Sequence, residues 1–358
     1  MTPSRIPRSW QVRPSRPEDE PDITRLFANV FGRSLPDGYW KWKLRSLPVR
    51  EENEWVAESD GEVVGHYAVT PIRYRICDQD LIVPHGCDAM THPDFRRRGI
   101  LYALGKRANE VWGRAGAPFQ IGFHYGGWGS VRENLGWRIQ TRLVWWKKRF
   151  RPLTSLAGKL GIPGKAAWMR ADDAIARLSG RKPAIPAISP GAGEIRLDRV
   201  ECADDRFDRL WRKLAPFHGV LAVRDRAWVQ WRYLDMPGAQ HRVVIAARRE
   251  EPCGFAAMRW VTRGTVSQAV IADLFVDPKD GAAGQVLLAD ALAAAATIGA
   301  GSLAALASPD SAAVRRLAAA GFRPGRHGYD FSIVPYPAMV DVWTGADWFL
   351  TGAEGDVL

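Results

Sequence analysis

The sequence predicts an α/β fold built on a mixed sheet (an α+β mixed sheet), and it predicts that unit twice. Segments that alternate apolar and polar residues, as strands do, are interleaved with segments whose apolar residues recur at helical spacing. Several short motifs of the first half recur in the second half at nearly the same spacing. The chain has 358 residues, 46% of them hydrophobic and 25% charged, which suffices for two globular domains with separate cores.

The first copy opens with strand and helix patterns in turn. Trp10 and Val12 indicate a first strand, and apolar residues recur at helical spacing from Ile23 to Phe31. A second helical segment surrounds residues 40–47. The stretches EWVAES and VVGHYAVTPIRYRI then indicate two strands joined at the turn dipeptide Asp60-Gly61.

The second part of this copy repeats the alternation of strands and helices. The stretch GCDAMTH indicates a strand, and an amphipathic helix is predicted from about Gly99 to Gly116. The stretch FQIGF indicates the next strand, and a short helical piece leads to Gly136. The stretch WRIQTRLVWWKKRF is predicted to form a closing pair of strands.

Three motif pairs define the repeat. WKLRSLP at 42–48 matches WRYLDMP at 231–237, and DAMTHP at 88–93 matches DLFVDP at 273–278. Gly-aromatic-Arg follows at 136–138 and at 321–323. We therefore predict domains at 1–150 and 193–358, joined by a Gly-, Pro-, Lys- and Arg-rich linker at 151–192 that holds one helix near 166–178.

Composition excludes several classes of protein. The net charge of +11 favours an anionic partner or a solvated basic surface, but the arginines are spread along the chain, so we expect no nucleic-acid partner. No apolar run reaches the roughly 20 residues of a membrane span. The N-terminus lacks the hydrophobic segment of a signal peptide, and the four cysteines lack CxxC spacing, which predicts a cytoplasmic protein with reduced thiols. The histidines show no HExxH pairing, so we expect no metal site.

The stretch THPDFRRRGI at 91–100 predicts an anion site. It lies between a predicted strand and a predicted helix, where the first N–H groups of the helix lack partners and the helix dipole is positive. Three arginines at that end disfavour the bare helix, but they favour a bound phosphate, and the glycine lets a ligand approach the backbone. A solvated basic turn is the alternative interpretation of the same residues.

In this context the motif resembles the pyrophosphate loop of the Gcn5-related N-acetyltransferase (GNAT) superfamily. The pattern [Q/R]-x-x-G-x-[G/A] falls on Arg96, Gly99 and Leu101, with Leu101 departing from the small residue of the family. The resemblance is clearest over 54–140 and is nearest to bacterial proteins with two copies of this fold, whose tail motif WFLTGAEGDVL at 348–358 matches in part. It implies two tandem GNAT-like acyl-CoA N-acyltransferase domains, of which 1–150 binds CoA and 193–358 is degenerate.

The resemblance also implies a cofactor site for acetyl-CoA or another acyl-CoA. Strand residues would offer backbone groups to the pantetheine, and loop residues would hold the pyrophosphate. These residues are Met90, Thr91, His92, Arg96, Arg97, Arg98, Gly99, Ile100 and Leu101. Only the first copy is expected to bind, because Gly281, Ala282 and Ala283 replace the arginines and Asp280 adds a negative charge.

Acyl transfer to an amine needs a base, an oxyanion donor and a proton donor. Asp88 is the candidate base, although Asp273 at the matching position leaves a structural role equally open. The tyrosine that is the usual acid in such relatives is replaced by Arg132, and Tyr125 or His124 could substitute for it. Tyr125 and Trp128, in the glycine-rich stretch GFHYGGWGS, are the candidate acceptor-binding residues.

These observations predict an acyl-CoA-dependent N-acyltransferase that transfers acetyl to a primary amine of a small molecule, such as an amino sugar or another metabolite. Two alternatives stay open: a non-catalytic CoA-binding or scaffold protein, and an aminoacyl-tRNA-dependent transferase, whose known forms usually lack an intact pyrophosphate loop. We expect a monomer or a homodimer. His66 is predicted to be a packed residue of the strand VVGHYAV rather than a catalyst.

Overall fold

The computed structural model describes residues 9–46, 52–124, 129–151, 153, 156–157, 160–178, 194–263, 266–309, 311–339 and 347–355. The chain forms two compact units. Unit 1 comprises residues 1–140 and 330–346, and unit 2 comprises residues 141–329 and 347–358. These boundaries differ from the predicted 1–150 and 193–358, because one long strand leaves unit 1 at residue 140 and another enters it at residue 330.

Unit 1 is an α/β structure on a mixed sheet. Its strands are β1 (Gln11–Pro14), β2 (Glu54–Ser59), β3 (Glu62–Ile76), β4 (Gln79–Thr91) and β5 (Phe119–His124). Its helices are α1 (Glu20–Phe31), a π-helical turn at Lys41–Arg45, α2 (Ile100–Arg114) and the short α3 (Gly129–Asn134). The strand order is β1-β2-β3-β4-β5, followed by residues 330–335, with β4 and β5 parallel and the other pairs antiparallel.

The two long helices of unit 1 cover opposite faces of this sheet. Alternate residues of β2 point to opposite sides, so Trp55 and Ala57 join one core cluster while Val56 joins another. The first cluster contains the buried face of α2, including Leu104, Ala108 and Trp112. The second contains the buried face of α1 and Trp40, namely Ile23, Leu26, Phe27 and Trp40.

Unit 2 repeats the order of elements. A strand β6 (Arg138–Arg149) leads into it from unit 1, so the predicted closing pair of strands is one strand. Its helices are α4 (Lys165–Leu178), α5 (Asp205–Leu214), α6 (Arg226–Val229), a π-helical turn at Gln230–Leu234, α7 (Gly281–Thr297) and α8 (Ala312–Ala319). Its strands are β7 (Ile195–Val200), β8 (Val220–Ala222), β9 (His241–Arg248), β10 (Glu251–Arg263), β11 (Val266–Val276), β12 (Ser302–Ala307) and the first part of β13 (Arg323–Pro335).

The sheet of unit 2 contains the path β6-β12-β11-β10-β9-β7. Strands β9, β10 and β11 form antiparallel pairs, α7 follows, and β12 then pairs parallel to β11. The same sequence of pairings links β2, β3, β4, α2 and β5 in unit 1. The mixed α/β fold predicted from the sequence is confirmed.

Candidate active site

The stretch THPDFRRRGI lies at the junction that the sequence predicts. Strand β4 ends at Thr91, a 3₁₀ turn spans Pro93–Phe95, and α2 begins at Ile100. Gly99 caps the helix with φ 79°, a left-handed conformation that favours glycine. A Cβ atom at Gly99 would meet nothing within 4 Å, so the backbone is open to a ligand at this position.

The N-terminus of α2 carries positive charge without a carboxylate to neutralise it. No side chain caps the helix at Gly99, and its first turn holds no acidic residue. Arg96, Arg97 and Arg98 are exposed, and the Arg98 guanidinium lies 4.9 Å from the centre of the Phe95 ring. Backbone N–H groups, the helix dipole and three guanidinium groups therefore coincide, which is an arrangement that binds phosphate.

Strands β4 and β5 pair through one register pair, His85 with Ile121, in the parallel part of the sheet. Beyond this point β4 contains a bulge: β3 pairs His66 with Met90 and Ala68 with Cys87, so Asp88 and Ala89 face a single residue of β3. Asp88 has φ 48°, in the left-handed region that a non-glycine residue adopts only at a cost.

Two buried groups hold the bulge residue Asp88. Its carboxylate accepts a 2.5 Å hydrogen bond from Nζ of Lys43, whose side chain is only 3% exposed and lies on the π-helical turn at 41–45. Its main-chain oxygen lies 2.8 Å from Nδ1 of His66, and Nε2 of that ring lies 3.2 Å from Oε1 of Glu54. His66 is fully buried, as predicted for a packed residue, but it is also part of a polar chain that ends on the bulge.

A cleft of about 470 Å³ adjoins the loop. It lies between α1 and the loop, and both acidic and basic side chains line it. The lining residues are Asp22, Arg25, Leu26, Asn29, Glu62, Val63, Val64, His92, Asp94, Phe95 and Arg98. The contribution of α1 was not predicted, because nothing in its sequence pattern distinguishes its exposed polar face from an ordinary solvated surface.

The predicted cofactor residues fall into two groups by burial. The side chains of Met90 and Ile100 are 1% exposed and belong to the core, so only their backbone groups can face a ligand. Thr91 and His92 are half-buried, and Leu101 packs on the core cluster of α2, which explains why a large residue is accepted at the position where the family has a small one.

Of the predicted acid and acceptor-binding residues, only His124 lies in the described part of the chain. Tyr125 and Trp128 lie outside the described residues. His124 is 3% exposed at the end of β5, with its ring edge-on to Trp137. Burial, with a further contribution from the charge of Arg132, lowers the pKa of His124 to about 4. Its ring is neutral at pH 7, which argues against His124 as the proton donor.

The matching loop of unit 2 is closed. Helix α7 begins at Gly281, so the residues aligned with the arginines lie in its first turn. The carboxylate of Asp280 caps this helix by accepting a 2.9 Å hydrogen bond from the amide of Ala283. Gly284 lies within the helix, so the left-handed turn of Gly99 has no counterpart there; a Cβ atom at Gly284 would lie 2.8 Å from Nε of Arg316.

Asp273, the counterpart of Asp88, is structural. It is fully buried and accepts hydrogen bonds from Arg224, Tyr233 and Thr351, at 2.9, 2.9 and 3.1 Å. Glu354 of the C-terminal segment bonds the same Arg224. This network satisfies the carboxylate from three sides and encloses it.

Lys43 and Glu54 are site residues that were not predicted from the sequence. The repeat could have indicated a buried ion pair at Lys43. The motif places Trp-Lys at 42–43 and Trp-Arg at 231–232, and a cation beside a tryptophan in both copies suggests a buried partner. Nothing in the sequence indicated that Glu54 is buried, since an acidic residue at the start of a strand is ordinarily exposed.

Two features are absent from the described part of the chain. None of the described helices is both long and apolar enough to span a membrane. Among the described residues, no group of three or more histidine, cysteine, aspartate or glutamate side chains is arranged to hold a metal ion.

The first unit is similar to one known family of domains. Residues 11–139 match the family model described as an acetyltransferase (GNAT) domain. None of the curated proteins matches the sequence.

Solved structures with the same fold extend over both units. A GCN5-related N-acetyltransferase from Anabaena variabilis is 15% identical, with a TM-score of 0.62 over 91% of this chain and 72% of that one. A protein of unknown function from Enterococcus faecalis, described as a probable N-acyltransferase, is 12% identical, with a TM-score of 0.64 over 93% and 74%. Saccharomyces cerevisiae N-myristoyltransferase with bound myristoyl-CoA is 12% identical, with a TM-score of 0.62 over 93% and 84%. Residues 11–139 are therefore similar to GNAT acetyltransferase domains, and the chain has the fold of these solved structures.

Proposed function

We propose that unit 1 is an acyl-CoA-dependent N-acyltransferase that acts in the cytoplasm and transfers acetyl from acetyl-CoA to a primary amine of a small molecule. The observation that carries this proposal is the open N-terminus of α2, where Gly99 caps the helix and three exposed arginines precede it. The family of residues 11–139 and the myristoyl-CoA in the yeast relative support an acyl-CoA as the donor.

The loop residues fit the diphosphate of CoA. The amides at the start of α2 and the guanidinium groups of Arg96 to Arg98 would bind its oxygens. The backbone of β4, beyond the point where its pairing with β5 ends, would bind the pantetheine arm. Each contact uses a group that is exposed or that belongs to the main chain, so the core of the unit need not change.

Asp88 is the proposed base. Its carboxylate lies on the bulge of β4, close to where the arm would end, and its side chain is 8% exposed. An amine reaches the site as an ammonium ion, and a carboxylate both attracts this cation and accepts its proton. The ion pair with Lys43 would fix the carboxylate in place before the acceptor arrives.

One observation favours a second function, that of a non-catalytic CoA-binding protein. The position of the usual tyrosine acid is held by Arg132, whose guanidinium lies 3.1 Å from the carboxylate of Asp330. An arginine does not deprotonate in proteins and cannot act as this acid. Turnover distinguishes the two functions, because only the enzyme releases free CoA from acetyl-CoA faster when an amine is added.

Calorimetric titration with acetyl-CoA tests the site. We expect one equivalent to bind per chain and Gly99→Asp to weaken binding by at least about 100-fold, because a carboxylate at the helix N-terminus replaces the phosphate and repels it. Gly99→Asn, which is neutral and of equal size, should lose less. Gly281→Asp, at an exposed helix start of unit 2, is the matched control and should bind normally. Equal affinity of the Gly99→Asp protein and the wild type for acetyl-CoA would contradict the proposed binding site.

A further inference from the structure

His66 is held by two hydrogen-bond acceptors at the bulge of β4. Nδ1 faces the main-chain oxygen of Asp88, which has no hydrogen to donate, and Nε2 faces the carboxyl group of Glu54. Burial raises the pKa of Glu54, but the hydrogen bond and charge of His66 and the charge of Arg45 outweigh it, so the net shift is downward. Both ring nitrogens of His66 therefore face acceptors, an arrangement that a ring with a proton on each nitrogen satisfies.

The surroundings of the ring suit a cation. Glu54 supplies the opposite charge from β2, and the Trp40 ring lies 5.5 Å from the imidazole, centre to centre. The other charged groups nearby are Arg45, 3.7 Å from the second oxygen of Glu54, and the ion pair of Lys43 with Asp88. Each of these two cations faces a carboxylate.

Unit 2 has a bulge in the corresponding strand pair without a histidine, with Ala272 and not Asp273 as its extra residue. Phe255 occupies the position of His66 in the repeat, and it is fully buried. The pairing of β10 with β11 nevertheless shifts register between Ala257 and Met258. A bulge in this strand pair therefore forms without a histidine, whereas the left-handed φ of Asp88 has no counterpart at Asp273.

We propose that His66, with a proton on each ring nitrogen, is a positioning residue for acyl transfer, and that its charge fixes and polarises the peptide between Asp88 and Ala89. This rests on the proposed function. The C=O and N–H groups of a trans peptide point in opposite directions, so the bond from His66 to the Asp88 carbonyl turns the Ala89 N–H away from His66. A cation on the carbonyl strengthens that N–H as a donor, and an oxyanion at the bulge requires such a donor.

The bonds and protons of the reaction balance with His66 unchanged. The acceptor ammonium gives one proton to Asp88, and the free amine attacks the thioester carbon. The new C–N bond forms, the oxyanion collapses and the C–S bond breaks. The amide nitrogen then gives its extra proton to the CoA thiolate. His66 keeps both of its ring protons throughout, and it acts through the peptide that it holds.

Infrared and NMR spectra test this role without an identified acceptor. Acetyl-CoA labelled with ¹³C at the thioester carbonyl should show a lower carbonyl stretching frequency when bound to the wild type. His66→Phe, which adopts the residue of unit 2, should still bind acetyl-CoA but lose most of that shift. Glu54→Gln, which keeps the histidine, should show an intermediate shift. The ¹⁵N spectrum of the free wild type should show both nitrogens of His66 protonated at pH 7, with the neutral ring of His241 as the internal reference, because burial lowers its pKa to about 3.

Two results would overturn the proposal: a neutral His66 ring in the free wild type, or an unchanged carbonyl frequency in a His66→Phe protein that binds acetyl-CoA. If that variant does not fold, the carbonyl frequency in the Glu54→Gln protein and the NMR spectrum of the wild type test the proposal instead. A wild type that binds no acetyl-CoA would contradict the proposed function itself, and the calorimetric titration separates that failure from the other two.

Discussion

The N-termini of α2 and α7 follow corresponding strands of the two units, yet they satisfy their amides in opposite ways. Helix α2 starts after a glycine with a left-handed φ and three exposed arginines, with no side-chain cap. Helix α7 starts one turn earlier, so the small residues that replace the arginines become helical, and Asp280 caps them. A carboxylate supplied by the chain occupies in unit 2 the place that an anionic ligand would take in unit 1.

The corresponding carboxylates of Asp88 and Asp273 differ in a similar way. Asp273 is fully enclosed by an arginine, a tyrosine and a threonine, and the C-terminal segment helps to close the network. Asp88 pairs with a lysine and keeps a small exposed fraction. Asp273 thus belongs to a closed network in unit 2, whereas Asp88 lies on a strand bulge with a left-handed φ.

The largest effects should come from replacing these two carboxylates, because Asp273 should affect stability alone and Asp88 should affect both stability and acetyl transfer. Asp273→Asn removes one of the two buried carboxylates that face Arg224, and we expect a loss of about 3–5 kcal/mol in the free energy of unfolding. Asp88→Asn should destabilise as well, because Lys43 is buried, and it should also slow acetyl transfer by at least about tenfold.

The double variant Lys43→Met with Asp88→Asn is the control for this prediction. It removes both charges, so denaturant unfolding should show most of the lost stability restored. Acetyl transfer, normalised to bound acetyl-CoA, should stay slow. A double variant with wild-type turnover would make Asp88 as structural as Asp273.

Acid should destabilise unit 1 through His124. Its pKa is about 4 in the folded chain, against the ordinary 6.5, so the unfolded chain binds the proton first as the pH falls. Stability is unaffected above about pH 6.5, falls between about pH 6.5 and 4, and changes no further below that through this group. The loss amounts to about 3 kcal/mol.

His124→Asn should flatten this part of the pH dependence of unfolding in urea. His218, in unit 2, has a pKa lowered by burial to about 4 as well, so His218→Asn should remove a separate part of the same slope. If neither variant changed the slope between pH 6.5 and 4, other groups would be responsible for the acid sensitivity.

Each arginine of the loop should make a smaller, salt-dependent contribution to the affinity for acetyl-CoA. Each of Arg96→Ala, Arg97→Ala and Arg98→Ala should weaken acetyl-CoA binding by about tenfold, since one charge-assisted hydrogen bond is lost. Affinity should also become less sensitive to added salt. Arg248→Ala is the matched control, because Arg248 faces Asp280 at the start of α7. A similar loss in that control would indicate a second anion site in unit 2.

Much of this comparison could be predicted from the sequence. The loop, its helix and the loss of charge in the second copy follow from THPDFRRRGI and its counterpart, because glycine, arginine and cap residues act locally. The course of the long strands could not be predicted, since their exchange between units at residues 140 and 330 depends on pairings distant in sequence. The polar chain of Glu54, His66 and Lys43 was missed for the same reason: three separate segments converge on one bulge.

The smallest effect should come from Asp280→Ser. Serine is as good an N-cap as aspartate, so its hydroxyl should keep the bond to the amide of Ala283, and the free energy of unfolding should change by less than about 1 kcal/mol. The variant removes the negative charge from the start of α7 but adds no cation, and Arg316 still fills the space beside Gly284. Calorimetry should therefore still give one equivalent of acetyl-CoA per chain. A second equivalent would mean that Asp280 alone keeps the second unit from binding, and that the missing arginines and the earlier helix start matter less than we infer.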